Sequence, residues 1–242
     1  LGFFNNRVNL DFAWYNRSTT NDIVETTIST GSGANSALLN LGKMRNKGIE
    51  FLLSGKIINS RNFSWDASFN GSYNENKVEA LTDGLNSITM ATSVNGYATI
   101  TSDVGHPYST IKGYRPLKDA NGNTVYTLSG GSAAIARGPL EILGEGVHPW
   151  TAGITNEFKY KNVSFSFLID GKFGGSLYSG TDLYGTRMGL TKLTLEGREN
   201  GLPIKGVDTN GNPVDMVIAP ENLRYYYDGL KSISSTFIYD AS

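Results

Sequence analysis

The alternation of apolar and polar side chains constrains this chain more than any other feature of its sequence. Over residues 63–74 every odd position is apolar, aromatic or Gly, and every even position is Ser, Asp or Asn. Successive side chains of a β-strand point to opposite faces, so this run predicts a strand with one apolar and one polar face. Similar runs occupy residues 8–14, 49–57, 152–160 and 163–169, and Leu52 interrupts the polar side of the second run. The sequence therefore predicts an all-β fold.

The connections between these runs alternate between short and long. Short turns are predicted at residues 4–7, at residues 58–62 and at Lys161 and Asn162, whereas the segments at about 29–40, 77–147 and 174–242 are far longer than ordinary loops. Short turns at one end and long loops at the other are typical of an antiparallel outer-membrane β-barrel, in which the short turns are periplasmic and the long loops extracellular. Inside the long segments we expect small hairpins at two Asn-Gly turns, centred on Gly122 and Gly211, and a short helical stretch at residues 220–224.

The composition excludes several classes of protein. The chain has no Cys and two His, which excludes disulfides, thiolate catalysis and Cys-ligated zinc. Its 21 basic and 22 acidic residues leave no positive patch for nucleic acid. It has no apolar run long enough for a transmembrane helix. Because the sequence opens at Leu1 without a signal peptide, we expect either a processed protein or a piece of a longer one.

Candidate sites for chemistry are few. The segments that start at Asp119 and Asp208 lack the Gly and Glu of a calcium-binding EF-hand loop and are interpreted as turns. His106 and His148 each precede a Pro and are interpreted as loop residues without a catalytic partner. The carboxylates of the polar strand faces, such as Glu50, could act as a glycosidase pair or simply line a hydrated lumen. We predict no catalytic residue, no metal site and no cofactor.

Tyrosines in the long segments are the best candidates for ligand contact. Aromatic rings stack on sugars and on peptide side chains, and exposed rings often mark binding surfaces. The alternatives are packing within a large loop and a place in the aromatic girdle at the membrane interface. The candidates in the two longest segments are Tyr97, Tyr108, Tyr114, Tyr178 and Tyr184.

One stretch resembles the signature of a known family. The residues are Asn40-Leu41-Gly42-Lys43-Met44-Arg45-Asn46-Lys47-Gly48-Ile49-Glu50. This stretch is similar to the N-x-G-x-M-x-N-K-G-x-E motif in a late barrel strand of the SusC/RagA-like TonB-dependent outer-membrane transporters of Bacteroidetes. Further similar motifs follow in the expected order and extend the resemblance over nearly the whole chain. They include Thr20-Asn21-Asp22, Asn74-Glu75-Asn76-Lys77-Val78, Gly105-His106-Pro107 and Gly174-Gly175.

The resemblance implies a much larger parent protein. Members of this family have a plug domain inside a 22-stranded outer-membrane barrel, import a nutrient with energy from the TonB complex, and carry a SusD/RagB-like surface lipoprotein as a lid. By this likeness, residues 1–242 are part of the C-terminal half of the barrel, without the plug, without the last strands and without the N-terminal part that meets TonB. Apolar residues of the strands, such as Phe63, Trp65 and Phe69, would then contact lipid. The expected lumen-facing residues are Glu50, Asp66, Asn70 and Asn74.

Two other functions remain open from the sequence. The chain could be a secreted, soluble β-sandwich that binds glycans through its tyrosine-rich loops. A weaker alternative is a surface glycoside hydrolase. If the chain belongs to a transporter, its sequence does not distinguish an oligosaccharide cargo from a peptide.

Overall fold

The computed structural model describes residues 1–21, 23–27, 30–40 and 42–242, and at residues 24–27, 30, 39, 40 and 83 it describes the backbone alone. Asp22 and Leu41 of the motifs, and Ser29 at the start of the first predicted loop, lie outside the described residues. The strands are β1 Gly2–Phe3, β2 Val8–Thr20, β3 Ile23–Thr27, β4 Ser36–Asn40, β5 Lys43–Asn59, β6 Phe63–Ala80, β7 Ser87–Thr92, β8 Thr99–Asp103, β9 Thr110–Pro116, β10 Val125–Ser129, β11 Ser132–Ile135, β12 Arg137–Glu145, β13 Trp150–Tyr160, β14 Val163–Phe173, β15 Ser176–Tyr178, β16 Leu202–Asp208, β17 Pro213–Ile218 and β18 Ile238–Asp240. The α-helices are α1 Gly180–Arg187 and α2 Leu223–Gly229, and 3-10 turns occupy Thr30–Ser32, Thr82–Gly84, Lys192–Leu195, Pro220–Asn222, Leu230–Ser232 and Ser234–Phe237.

The predicted strands form one six-stranded antiparallel sheet. Its order is β1-β2-β5-β6-β13-β14. Residues directly opposite each other in neighbouring strands share a face, and the register places Phe51 opposite Phe12 and Gly71. On the other face, Glu50 lies opposite Ser72. The alternation within each strand therefore adds up, across the sheet, to one apolar face and one polar face, as the sequence predicted.

The three short turns lie at one end of this sheet. Residues 4–7 join β1 to β2, residues 60–62 join β5 to β6, and Lys161 and Asn162 join β13 to β14. The first turn needs left-handed backbone at Phe4, Asn5 and Asn6, with φ values of 52°, 57° and 62°. Asn tolerates this conformation better than most residues, since its short side chain can bond locally. The prediction of short connections at this end is confirmed.

At the opposite end, the strands run further than the alternation indicated. Strand β6 continues to Ala80, although the sequence placed the start of a long loop at residue 77. From Glu75 to Lys77 both faces carry polar or charged side chains, so the hydrophobic period is interrupted. The backbone pairing with β5 nevertheless persists as far as Lys43 opposite Ala80. Ion pairs hold this part of the ladder, with Lys47 Nζ 3.0 Å from Glu75 Oε2. The first predicted loop also differs, because it contains strand β4, which pairs in an antiparallel ladder with β3, just before the loop.

The two longest segments fold into a single packed body beyond this end of the sheet. Strands β12-β9-β8-β7 form one four-stranded sheet, and β11-β10-β16-β17 form another in which β10 and β16, from different segments, pair in parallel. The buried core of the body also draws on both segments, for instance with Tyr126, Leu183 and Phe237. The hairpin expected at Gly211 is present between β16 and β17. The body contains two four-stranded sheets and a shared buried core, whereas the sequence predicted only small hairpins and one short helical stretch there.

The helices of this body are short. Helix α1 was not predicted, because its sequence contains two Gly and has little apolar periodicity; Ser179 caps it by accepting a hydrogen bond from the Asp182 N–H at 3.1 Å. The helical stretch expected at residues 220–224 is a 3-10 turn, Pro220–Asn222, that leads into α2. Among the described residues, no helix has both the length and the apolar character needed to cross a membrane.

Candidate functional site

The polar face of the six-stranded sheet gathers the predicted lumen-facing residues. Glu50 lies opposite Ser72. Asp66 and Asn70 are separated from Ser72 by even numbers of residues along β6, so all these side chains share one face. A shallow hollow of about 440 Å³ on this face is lined by residues that include Glu50, Asn70 and Ser72. Ser72 Oγ lies 2.7 Å from Thr151 Oγ1 on the next strand. The face presents hydroxyl, amide and carboxylate groups that can bind a hydrated solute. The assignment of this face to a barrel lumen stays a prediction.

The carboxylates of this face are spread across the sheet. Asp11 lies opposite Leu52, Glu50 lies opposite Ala13 and Ser72, and Asp66 lies opposite Lys56 and Glu157. Asp66 and Glu157 are thus direct neighbours, and Glu157 Oε1 is paired with Lys159 Nζ at 2.8 Å. No two of the three acids Asp11, Glu50 and Asp66 lie opposite each other. The register gives no support to a glycosidase pair built from them.

Asn74, the fourth predicted lumen residue, belongs to a network of amide side chains where the sheet meets the folded body. Tyr15 Oη donates to Asn74 Oδ1 at 3.0 Å, and Asn46 Oδ1 accepts from Asn76 Nδ2 at 2.7 Å and from Asn74 Nδ2 at 3.5 Å. Asn76 Oδ1 accepts in turn from the backbone N–H of Tyr108 at 2.7 Å. The network therefore links three barrel strands to the body beyond them.

Gly48 of the family-like motif is required by the same network. A Cβ atom added at this position would lie 2.6 Å from Tyr15 Oη and would also collide with the carbonyl oxygen of Tyr73. The Tyr15 ring crosses the strand at Gly48 to reach Asn74, so only a residue without a side chain fits between them.

Two of the predicted ligand-binding tyrosines lie together. The rings of Tyr97 and Tyr114 meet edge to face with centroids 6.3 Å apart. The guanidinium carbon of Arg137 lies 5.5 Å from the first ring and 4.7 Å from the second, within the range of a cation–π contact. Ser234 of the other long segment accepts from the backbone N–H of Tyr114 at 3.3 Å and donates to the carbonyl of Tyr97. Nothing in the sequence singled out Arg137 or Ser234.

The other three predicted tyrosines have other surroundings, although Asn95 connects Tyr178 to the backbone N–H of Tyr97, which donates to Asn95 Oδ1 at 3.3 Å. Tyr108 packs against the small buried cluster that contains Val78. Tyr178 packs against the main core of the body, and its hydroxyl accepts from Asn95 Nδ2 at 2.9 Å; burial raises its pKa. Tyr184 is 39 % exposed, with the Arg187 guanidinium carbon 5.8 Å from its ring. Of the five tyrosines, Tyr97 and Tyr114 have their rings in contact with each other, and contact of any of the five with a ligand stays a prediction.

The acidic turns that could suggest calcium binding have their carboxylates occupied. Asp119 Oδ1 accepts from the backbone N–H groups of Asn121 and Asn123 at 2.8 Å, and Oδ2 accepts from Asn123 Nδ2 at 2.9 Å. Asp208 makes the same three bonds in its own turn. The side-chain hydrogen bond from Asn123 is the largest contribution to the lowered pKa of Asp119. Within the described ranges no group of three or more His, Cys, Asp or Glu is placed to hold a metal ion.

His106 and His148 lie in loops, as the sequence indicated. The carbonyl of His106 accepts from the Val78 N–H at 2.9 Å, and His148 Nε2 lies 3.1 Å from the carbonyl oxygen of Ala241. Both contacts tie loop backbone to neighbouring segments, and neither places a histidine beside a nucleophile.

Comparison with known proteins identifies the kind of fold. No family model matches the chain. It is 25 % identical over 261 residues to TonB-dependent receptor P3 of Formosa agariphila, and that alignment covers 97 % of this chain and 26 % of the receptor. It is 26 % identical over 188 residues to TonB-dependent receptor SusC of Bacteroides thetaiotaomicron, and that alignment covers 74 % of this chain and 19 % of SusC.

Solved structures agree with these relatives. The RagAB peptide transporter matches with a TM-score of 0.64 at 20 % identity, over 99 % of this chain and 26 % of that chain. The RagAB peptide importer in its closed-closed state matches with a TM-score of 0.66 over the same shares. The chain thus spans about a quarter of the length of these proteins. The receptor and transporter names agree with the expectation of a protein that is not an enzyme. The resemblance to SusC/RagA-like TonB-dependent receptors is confirmed, and the all-β fold is that of part of the antiparallel β-barrel of such a receptor.

Proposed function

We propose that residues 1–242 form part of the barrel of an outer-membrane importer that takes up an oligosaccharide or a peptide with energy from TonB. The work of this part would be binding and gated passage, with no covalent step. The observation that carries the proposal is the two-faced sheet, whose apolar face exposes several large side chains.

The exposure of that apolar face is far greater than a soluble protein tolerates. Phe12 is 63 % exposed, Trp14 67 % and Phe165 62 %. Contiguous apolar surface of this kind marks an interaction with a membrane or with another protein. Alternation of lipid-facing and lumen-facing side chains is what a transmembrane barrel requires. In the β-sandwich alternative the same face would be buried against a second sheet, and its exposure in this structure does not fit that arrangement.

The two ends of the sheet suggest its orientation. The short turns would be periplasmic, and the folded body made of segments 77–147 and 174–242, with the segment at about 29–40, would be extracellular. A body at that position could meet a SusD/RagB-like lipoprotein lid, a partner that the resemblance implies. The TonB complex would act through the N-terminal part of the longer protein.

The nature of the cargo is the finer part of the proposal. The structural relative is named as a peptide transporter, whereas the name of SusC states no cargo. Of the predicted contacts, Tyr97 and Tyr114 are the best placed to act together. Their rings and Arg137 form one surface that could contact either a sugar or a peptide side chain.

The experiment measures uptake by cells that carry the full-length receptor, with and without TonB. Fluorescent oligopeptides and oligosaccharides are supplied separately, and cell-associated label is counted after washing. We expect one class to accumulate only when both the receptor and TonB are present. Accumulation of label without TonB, or no accumulation of peptide or oligosaccharide, would overturn the proposal. Release of free sugar from the oligosaccharide would favour the hydrolase alternative.

A further inference from the structure

A hollow in the folded body is lined by three arginines. It lies among the end of α1, the segment that follows it and the start of α2, and its volume is about 610 Å³. The arginines are Arg187, Arg198 and Arg224, and none of the ten residues that line the hollow is Asp or Glu. A hollow of this size is within the range of small-ligand sites.

Two of the three guanidinium groups are held in place by the fold. Arg187 Nε donates to Asp228 Oδ1 at 2.7 Å. Arg198 Nε donates to the carbonyl oxygen of Thr194 at 2.7 Å, and its Nη2 donates to Thr194 Oγ1 at 2.7 Å and to the carbonyl of Gly189. The acceptors of Arg198 are all neutral, so its position is fixed by hydrogen bonds, and within the described residues it forms no ion pair.

Arg224 completes the arrangement from α2. Within the described part of the chain it takes part in no ion pair and donates no side-chain hydrogen bond. A single unpaired surface arginine is ordinary, but here it shares a hollow with Arg198, whose Nη1 group also has no described acceptor. Two guanidinium groups with unused N–H donors thus line one site. Arg224 can present the two-nitrogen fork that matches a carboxylate, whereas Arg198 offers only the N–H groups of Nη1, because its Nε and Nη2 donors are in use.

Among the described residues, no carboxylate forms an ion pair with Arg198 or Arg224, although Asp228 and Glu221 line an adjoining hollow with Arg224. Asp228 is occupied by Arg187 and by Lys231, whose Nζ lies 2.7 Å from Asp228 Oδ2. Burial by itself raises the pKa of Asp228, but these two cations outweigh that effect and lower it. Glu221 lines an adjoining hollow that also contains Arg224. It is absent from the lining of the arginine hollow itself.

We propose that the arginine hollow binds a carboxylate group of a ligand between the guanidinium groups of Arg198 and Arg224. The inference deepens the proposed import function, on which it rests for the identity of the ligand as cargo. Carboxylates occur both on acidic peptides and on uronic-acid oligosaccharides, and the site as described would accept either source.

The test is calorimetric titration of the purified full-length receptor. The acidic probes are tetraglutamate and tetragalacturonate, and the neutral controls are tetraglutamine amide and maltotetraose. We expect Arg224→Ala to weaken binding of an acidic probe about tenfold, and Arg224→Glu to weaken it further, since a charge-assisted hydrogen-bonded pair is lost and then replaced by repulsion. Arg61→Ala, which removes one positive charge at the turn on the far side of the sheet, should leave the affinity unchanged.

Binding tests the proposed carboxylate site, and uptake tests the proposed import function. Loss with one acidic probe supports the inference and identifies the source of the carboxylate, and loss with both supports it for the shared group. Equal binding of acidic and neutral probes by the unaltered protein, or no change with Arg224→Glu, would refute it. Uptake is measured separately in cells, so failure of import with intact acidic-probe binding counts only against the proposed function.

Discussion

Replacing Trp65 by Asp should damage the barrel far more than replacing its neighbour Asp66 by Asn. The ring of Trp65 stacks on Phe158 with centroids 5.6 Å apart and planes 18° apart. Its indole Nε1 donates to Asn156 Oδ1 at 3.0 Å. Asn156 is a polar residue on the apolar face of β13, and it is only 8 % exposed.

The cost of Trp65→Asp follows from three losses. The aromatic stacking contributes about 1 kcal/mol. Leaving the buried amide oxygen of Asn156 without its donor costs about 1 to 3 kcal/mol. On the face proposed to contact lipid, a carboxylate near the short-turn end, where Trp65 lies, costs about 1 kcal/mol. Together these amount to about 3 to 5 kcal/mol, a large share of the stability of an ordinary domain. Asp66→Asn keeps the size and polarity on the opposite face and should cost less than about 1 kcal/mol.

The assay uses the full-length receptor in outer membranes and in liposomes. The folded fraction is read from the difference in gel mobility between heated and unheated samples, and the free energy of unfolding from a urea titration in liposomes. Trp65→Phe serves as an intermediate variant, because it keeps an aromatic ring of smaller size and lacks the N–H donor. It should cost about 1 to 3 kcal/mol. If Trp65→Asp and Asp66→Asn reduced the folded fraction equally, the assignment of faces would be wrong.

Three further substitutions test other parts of the structure. Gly48→Ala should cost about 1 to 3 kcal/mol in urea unfolding because its methyl group collides with Tyr15, whereas Gly55→Ala, with 3.6 Å of space, should be nearly silent. Burial alone would raise the pKa of Asp103, but Lys112 and three hydroxyls lower it to about 2. About 2 kcal/mol of folding stability should therefore be lost as the pH falls from about 4 to 2. Asp103→Asn should abolish that loss when melting is measured as a function of pH. Asp208→Ala removes three hydrogen bonds from its turn and should increase proteolysis at that hairpin, while added calcium should not protect the unaltered protein.

The sheet could be predicted from the sequence because its two faces meet different surroundings. Phe63 and Ser64 differ in character only because they point to opposite sides, and the period of two carries that difference directly into the sequence. The limits of β6 were less certain, because near Glu75 both faces become polar and the signal fades before the strand ends. Helix α1 had no comparable signal, since its stability comes from packing Leu183 into a core that draws on a segment many residues away.

The site was less predictable than the sheet for a related reason. A tyrosine in a long loop can be recognised as a candidate from its residue type, but whether its ring is presented or packed depends on the tertiary structure. Tyr178 illustrates this, because its hydroxyl is bound by Asn95 of the other long segment. The cation beside Tyr97 and Tyr114 could not be found in the sequence either, since Arg137 is separated from both in the chain and approaches them only through the pairing of β12 with β9.

The family-like motif has a structural explanation that differs from ligand binding. An amide side chain both donates and accepts, so a row of Asn residues can connect neighbouring strands without introducing charge into the sheet. Asn46 and Asn76 do this here, and the row ends on a backbone N–H of the folded body, at Tyr108. Gly48 is needed in the same place because the Tyr15 ring crosses the strand there. The apolar alternation determines which face each side chain takes, whereas the Asn and Gly residues determine where along the strands the barrel ends and the body begins. Asn74 therefore has a structural role on the polar face whether or not a solute contacts it.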